Sequence, residues 1–289
     1  MRVLILGGDG MLGHRMLRQL APRHETRVTL RQPLDAYRAL GLFDRGNAYD
    51  AVDVREPAPV RAVMAEFRPD AVINAVGIVK QRPDAKDGVL SVEVNTIFPH
   101  LLARLCEAQG AQLIHLSTDC VFSGVKGNYV ESDRPDPPDV YGFSKLLGEV
   151  ERPRTLTLRT SMIGRELQRK SGLLEWFLSQ RGKMIKGYRK AIFSGFSTHE
   201  LARLIEQLLT AHPQAAGIYH VASAPISKLD LLSRLNRKLA LGIEIVPDDE
   251  IVCDRSLDAR RFRSDFGYTP PGWDAMLDEI AADIGAART

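Results

Sequence analysis

Three glycines set between an apolar run and an amphipathic one constrain this chain more than any other feature. Val3 to Leu6 is apolar and breaks at Gly7-Gly8, and Met11 to Leu20 then repeats apolar residues at helical spacing. Gly7, Gly10 and Gly13 therefore form a GxxGxxG turn that leads a buried strand into a helix. In such a turn the first glycine allows the tight bend, the second lets backbone approach a diphosphate, and the third lets helix and sheet pack closely. The N–H groups around Met11 and Leu12 would face the phosphates at the positive end of the helix. The pattern alone also fits an ordinary strand-to-helix turn, and its place directly after the first strand is what favours a dinucleotide.

The same alternation continues along the first half. Arg2 to Leu6, Arg27 to Leu30, Asp70 to Val76 and Gln112 to Ser117 read as buried strands, and Met11 to Leu20, Pro57 to Phe67 and Ser91 to Gln109 read as helices between them. Strands joined by crossover helices make a parallel sheet covered on both faces. The expected fold is α/β, a doubly wound parallel Rossmann-type sheet in residues 1–163 with a smaller C-terminal α/β substrate domain in 164–289. A helix from Tyr141 to about Val150 and a strand from Thr155 to Ile163 close the first part. Gly172 to Gln180, Thr198 to Leu209, Lys228 to Leu241 and Trp273 to Ile284 are predicted helices of the second. Part of about 184–223 is expected to return to the sheet, with Ile218 to Ala222 as the returning strand.

Composition excludes several functions. With 39 Lys and Arg against 36 Asp and Glu, the net charge is +3 and the signs alternate, which gives no basis for nucleic-acid binding. Cys106, Cys120 and Cys253 are odd in number and form no CxxC pair, and the seven histidines show no HExxH spacing, so neither a disulfide framework nor a metal site is expected. No apolar run of the roughly 20 residues that a membrane helix needs is read from the sequence. A cytoplasmic protein without a membrane partner is the expectation.

The cofactor reading extends past the glycine turn. Arg31 ends the second strand where an acid would hold the ribose hydroxyls of NAD, and it suits the 2′-phosphate of NADP(H), so NADP(H) is expected over NAD(H); the alternative is a solvated loop arginine. Asp53-Val54 follows a short strand and either meets the adenine edge or, through Asp53, caps the helix starting near Pro57. Asn74-Ala75-Val76-Gly77 ends a strand and offers backbone beside the cofactor ribose, and Asn95 in the next helix either forms a bridge or satisfies a bulged strand.

Tyr141-Gly142-Phe143-Ser144-Lys145 sets a phenol and an ammonium four residues apart on one helical face. A cation there stabilises the phenolate, so in a reduction Tyr141 gives its proton to a carbonyl oxygen and Lys145 holds the tyrosinate. A helical Tyr–Lys pair is more often packing and surface, and the companions change that balance. Ser117-Thr118 ends the strand that begins at Gln112, at the carboxyl edge where such sheets bind ligands, and Thr118 either donates to the same oxygen or caps a turn.

On these residues the chain resembles the extended short-chain dehydrogenase/reductases, and within them the dTDP-4-dehydrorhamnose reductases. The resemblance rests on the glycine turn, YxxxK, Ser117-Thr118-Asp119 with Val121-Phe122, and Tyr129, Glu131 and Asp133. It continues through Gly148-Glu149, Leu158-Arg159-Thr160-Ser161 and Gly217-Ile218-Tyr219-His220. It implies NADPH-dependent reduction of a nucleotide-linked 4-keto sugar, with the catalytic roles on Thr118, Tyr141 and Lys145. It also implies a part in polysaccharide assembly and a homodimer formed through the helices of Asn95 and Tyr141. Cys120 stands where the family has tyrosine and Met162 where an aromatic is usual, so these two, with Lys80 and Asp119, are the candidate sugar contacts. Related dehydratases place glutamate at the position of Cys120, which argues against dehydration. Gln81 and Arg82 extend the Lys80 candidate, and Arg181, Lys183, Lys186, Arg189 and Lys190 either bind a diphosphate or form a solvated edge. Two rival readings stand beside this one, a nucleotide-sugar epimerase that keeps its cofactor bound and a non-catalytic subunit resembling the methionine adenosyltransferase β subunit.

Overall fold

The computed structural model describes residues 1–80 and 87–286; Gln81 and Arg82 lie outside the described residues. A central sheet contains β1 (Arg2–Leu6), β2 (Glu25–Thr29), β3 (Ala48–Tyr49), β4 (Ala71–Asn74), β5 (Gln112–Leu116), β6 (Thr155–Arg159) and β11 (Gly217–His220). Their order is β11-β6-β5-β4-β1-β2-β3, and the pairs from β3 through β6 are parallel. From β1 the chain first builds outward through β2 and β3, then crosses back to β4 and onward. This reversal creates the switch point at which doubly wound sheets take ligands. β11, at Gly217–His220, forms the edge beside β6 and overlaps the 218–222 segment read from the sequence as a returning strand.

Register decides which side chains share a face. Leu4 pairs with Val72 and Val72 with Leu113, and this apolar row meets Val60, Met64 and Phe67 of α2 (Pro57–Phe67) and Phe98, Leu102 and Cys106 of α4 (Phe98–Gln109). Two residues further along β4 and β5 the same face turns polar: Asn74 pairs with His115, and His115 with Thr157 of β6. The apolar row anchors the helices. The polar row lies at the carboxyl end of the strands.

The helix expected from Ser91 starts earlier and is not uniform. Asp87 caps it by accepting from the N–H groups of Val89 and Leu90; α3 (Gly88–Ser91) passes into a π-helical turn at Val92–Ile97 before α4, and Gly110 ends it at φ +68°. Together Gly88–Gln109 is 22 residues long and apolar enough, by length and composition, to cross a membrane, which the sequence reading did not anticipate. The burial of Val94, Phe98, Leu102, Ala103 and Cys106 marks it as a core helix. Two further corrections concern ends: α5 (Val140–Leu147) stops before Val150, and the strand expected through Ile163 divides into β6 and β7 (Met162–Ile163).

By contacts the chain forms two compact units. The first comprises 1–117, 139–158 and 202–218, and the second 118–138, 159–201 and 219–289, so they interleave where the sequence reading draws one boundary with one return. Three small sheets belong to the second unit. One pairs β7 with β10 (Phe196–Ser197), one orders β12 (Ile226–Ser227), β9 (Ala191–Phe193) and β14 (Cys253–Asp254), and one joins β8 (Met184–Tyr188) to β13 (Glu244–Asp248). The helices α8 (Lys228–Leu239) and α10 (Trp273–Ala286) pack together, with Arg234–Asp274 and Lys238–Asp278 pairs along their exposed seam.

Candidate functional site

The glycine turn has the geometry of a phosphate cradle. Gly7 adopts φ +85°, Gly10 N–H donates to Gly7 O at 3.1 Å, and a Cβ on Gly13 would lie 2.0 Å from Gly7 O. Only glycine at position 13 lets α1 (Gly13–Leu20) approach β1 this closely. Leu12 occupies the N-cap without a side-chain cap, so the first turn of α1 keeps its positive end open around Met11 and Leu12. These residues fit a dinucleotide diphosphate. Val76 and the backbone of Ala75 close the turn from the β4 side, 3.1 Å and 3.4 Å from where a Gly7 Cβ would stand.

Beyond the turn, Arg31 is about half exposed and its Nε lies 4.0 Å from Asp53 Oδ2. Asp53 does not cap α2. Glu56 occupies that N-cap, while Asp53 is gripped by Arg55, whose Nη2 donates at 2.6 Å and holds the carboxyl below its usual range. The capping alternative therefore fails, because an arginine two residues on is a stronger partner than uncapped backbone. Val54 is half-buried beside the α2 and α4 core. Tyr37, buried, accepts from Gln32 N and donates to Asp9 Oδ2, both at 3.2 Å, and so ties the segment after Arg31 to the glycine turn.

Asn74 uses its side chain internally. Its Oδ1 accepts from Val76 N at 3.2 Å, so its Nδ2 is the group that donates to His115 Nδ1 at 3.1 Å. His115 then carries its proton on Nε2, which has no hydrogen-bond partner among the described residues although the ring is fully buried. Burial holds this imidazole well below the usual histidine range, and the Lys145 ammonium acts in the same direction.

Asn95 acts as a clamp. It accepts from Ile78 N at 2.9 Å, donates to Ile78 O at 3.0 Å, and donates to Ser144 Oγ at 3.0 Å, so it fastens the chain after Gly77 to α5. The π turn makes this reach possible by carrying Asn95 O against Gly148, where a Cβ would stand 1.8 Å away. Thr96 Oγ1 and His100 Nε2 meet the carbonyls of Ser144 and Leu147, both at 2.8 Å. Helix α5 is thus held from its outer turns, and Asp139 caps its start through Gly142 N. Lys80 is paired with Asp139 at 2.8 Å, which couples this candidate sugar contact to the cap of the tyrosine helix.

Along α5, Tyr141 is half-buried and Lys145 buried. Lys145 Nζ donates to Leu116 O at 2.5 Å, at the carboxyl end of β5. Burial draws its ammonium down to about 8, against the opposing pull of Glu149, which accepts from Ser117 Oγ at 2.7 Å. An amine near neutrality beside a phenol one helical turn away suits proton transfer at ordinary pH.

The second unit carries Thr118, Asp119, Cys120 and Met162. Thr118 Oγ1 accepts from Cys120 N at 3.1 Å and donates to Asp119 Oδ1 at 3.2 Å; Ser161 Oγ donates to the other carboxyl oxygen. Burial pushes the Asp119 carboxyl above its usual range, and it pushes the Cys120 thiol up to about 12, which makes Cys120 a neutral, inert group. Arg255 Nη1 approaches Cys120 Sγ at 3.8 Å, a contact 135 positions apart that no local pattern in the sequence announces. Met162 lies half-buried in β7, paired with Phe196.

The remaining motif residues of this unit form a separate network. His220 Nδ1–H meets Tyr129 O at 2.9 Å, its Nε2 receives Arg159 Nη1 at 3.2 Å, and its own N–H donates to Glu131 at 2.9 Å. Phe122 stacks on Tyr129 at 4.2 Å, with Arg159 over its ring. Asp133 accepts from Val130 N and Lys126. In the basic stretch, Lys186 pairs with Asp248 and Glu250, and Arg189 with Asp249, which supports the solvated-edge alternative over a diphosphate site. Among the described residues no cluster of three or more metal-binding side chains occurs.

Residues 1–241 match the family model described as the RmlD substrate binding domain. The chain is 31% identical over 242 residues to a probable dTDP-4,6-dihydroxy-2-methyloxan-3-one 4-ketoreductase from Streptomyces antibioticus, covering 78% of this chain and 72% of that protein. It is 30% identical over 168 residues to a dTDP-4-dehydrorhamnose reductase from Burkholderia thailandensis, covering 56% of this chain and 50% of the relative, so that match spans half the relative's length. A stretch of 150 residues is 31% identical to methionine adenosyltransferase 2 subunit beta from Bos taurus, 51% of this chain and 41% of that one. Among solved structures, dTDP-4-dehydrorhamnose reductase from Bacillus anthracis in complex with NADP superposes with a TM-score of 0.79 at 21% identity, over 98% of this chain and 99% of the other. With more than three quarters of its length matched by one family model, the chain belongs to the RmlD substrate binding domain family.

Proposed function

We propose that this protein reduces a keto group on a nucleotide-activated deoxysugar with NADPH, in the manner of the dTDP-4-dehydrorhamnose reductases it resembles. The observation that carries the reading is Lys145, buried and drawn down to about 8, one helical turn from Tyr141. A buried lysine without a task on that face would be a liability, since desolvation disfavours its charge.

The glycine turn would hold a dinucleotide by its diphosphate, and its reduced nicotinamide would supply the hydride. The chain's own residues manage the oxygen. Tyr141 gives its phenolic proton to the keto oxygen, Lys145 stabilises the phenolate that remains, and Thr118 donates a second hydrogen bond to the same oxygen. Asn95 acts by fixing α5 rather than by touching reactants. Arg31 supports NADP(H) over NAD(H), because its guanidinium is exposed and shares Asp53 with Arg55, which leaves it able to meet a 2′-phosphate. A cytoplasmic setting suits a reductase that draws on that cofactor. Val140, Phe143 and Leu147 leave apolar surface exposed on α5, which supports a homodimer.

The test is spectroscopic: oxidation of NADPH and NADH with a panel of dTDP- and UDP-linked 4-keto sugars. Tyr141→Phe should lower turnover by about 10²–10⁴-fold, while the dissociation constant for NADPH, read by fluorescence, stays near the wild-type value. Full activity in that variant would remove Tyr141 from the mechanism. Arg31→Ala should weaken NADPH binding more than NADH binding, and equal weakening refutes the 2′-phosphate role. A cofactor that purifies tightly bound and is recycled unchanged would favour the epimerase instead.

A further inference from the structure

The donor and acceptor inventory of Thr118 limits what it can do. Its hydroxyl has one proton, and in the structure that proton is directed to Asp119 Oδ1, while the Cys120 N–H occupies a lone pair. An ionised carboxylate can only accept. With Asp119 ionised, Thr118 therefore offers a keto oxygen no proton, and the two oxygens meet as acceptor against acceptor.

We propose that Asp119 is a positioning residue that sets the direction of the Thr118 proton: neutral Asp119 donates from Oδ1 to Thr118 Oγ1, and the freed Thr118 proton turns to the keto oxygen of the sugar. The inference rests on the reading of Thr118 as a donor given above. No bond other than hydrogen bonds changes. The surroundings favour a carboxyl that can take up a proton. Asp119 is 9% exposed, and burial raises it, while Ser161, Arg255, Cys120 and Thr118 oppose that rise. Of these only Arg255 carries charge, and its guanidinium is shared with Phe122 O at 2.8 Å and with the Cys120 sulfur. Cys120, with its thiol at about 12, contributes no competing anion.

The test compares pH profiles of kcat/KM for NADPH oxidation with a dTDP-4-keto-6-deoxy sugar in wild type, Asp119→Asn and Ser161→Ala. Wild-type reduction should fall with rising pH in two steps, the lower belonging to Asp119 and the upper to the Tyr141 and Lys145 pair. Asn donates from its amide to Thr118 at every pH, so Asp119→Asn should lack the lower step and change less than about threefold where wild type falls about tenfold per pH unit. Ser161→Ala removes a donor to the carboxylate and should move the lower step to higher pH. In ¹³C-aspartate-labelled wild type, the carboxyl resonance missing from Asp119→Asn should titrate with that step. An unshifted lower step in both variants, with only KM raised, or a carboxyl that titrates in the ordinary range, overturns the proposal while leaving the ketoreductase reading intact. A wild type that reduces no keto sugar at any pH removes both.

Discussion

His115 and His220 are both fully buried, and they are held in opposite ways. Both nitrogens of His220 are engaged, one by Tyr129 O and one by Arg159, and its backbone N–H reaches Glu131. His115 has one nitrogen on Asn74 and the other without a partner among the described residues, in the same polar region of the first unit where Lys145 is buried and drawn down in pKa. A saturated buried network defines structure and has little left to give, whereas an under-satisfied one stores cost where chemistry needs a shifted group. The motif residues around His220 thus read as consolidation of the second unit, and those around Lys145 as a prepared reaction layer.

The largest stability effect expected from breaking this contrast is at His220. His220→Ala strips a partner from the buried Arg159 and from Tyr129 O, and should lower unfolding free energy by about 3–5 kcal/mol. Urea unfolding measures it; a loss under about 1 kcal/mol would mean that the network is not consolidating. Lys145 should behave in the opposite sense. The unfolded chain keeps this proton up to 10.5 and the fold only up to about 8, so across that window the unfolded state binds more protons and stability rises with pH. Below the window the buried cation is a standing cost. Lys145→Met should therefore stabilise the protein at pH 7 by about 1–3 kcal/mol, the lost bond to Leu116 O offsetting part of the gain. That gain should fade as pH rises towards 10.5, while turnover is lost. Destabilisation at every pH would show that the layer is structural.

The contrast also explains how much of the molecule was legible beforehand. The glycine turn, the Tyr141–Lys145 spacing and the alternation of strands and helices are local signals, and the sheet, its return strand and the helices between them follow from those. What escaped was non-local or masked. His115 sits inside an apolar run that reads simply as a buried strand, and nothing in that run reveals that Asn74, 41 positions earlier, lies beside it. The π turn has no composition of its own. The paired strands β8 and β13 expose Lys186 and Glu244 on one face and Pro247 on the other, so their alternation is weak, and Gly187 is there because a Cβ would stand 2.5 Å from Ile245. Asp53 preceded a helix and looked like a cap until Arg55 proved the nearer partner.

The smallest effect at neutral pH, and the sharpest on the comparison, belongs to His115→Leu. Two terms nearly cancel at pH 7: leucine removes an unpaired Nε2–H but leaves Asn74 Nδ2 without its acceptor, each worth about 1–3 kcal/mol, so the net change should stay within about 1 kcal/mol. The cancellation ends as pH falls. In the unfolded chain His115 protonates near 6.5, while in the fold burial and the neighbouring Lys145 cation keep it neutral. The unfolded state then binds the extra proton, and wild-type stability drops by about 1.4 kcal/mol per pH unit below that point. Leucine has nothing to protonate, so at pH 5 the variant should exceed wild type by about 2 kcal/mol relative to their difference at pH 7. Parallel stability curves from pH 7 to pH 5 would mean that His115 takes up its proton inside the fold, and the region beneath Lys145 would then be as well satisfied as the one around His220.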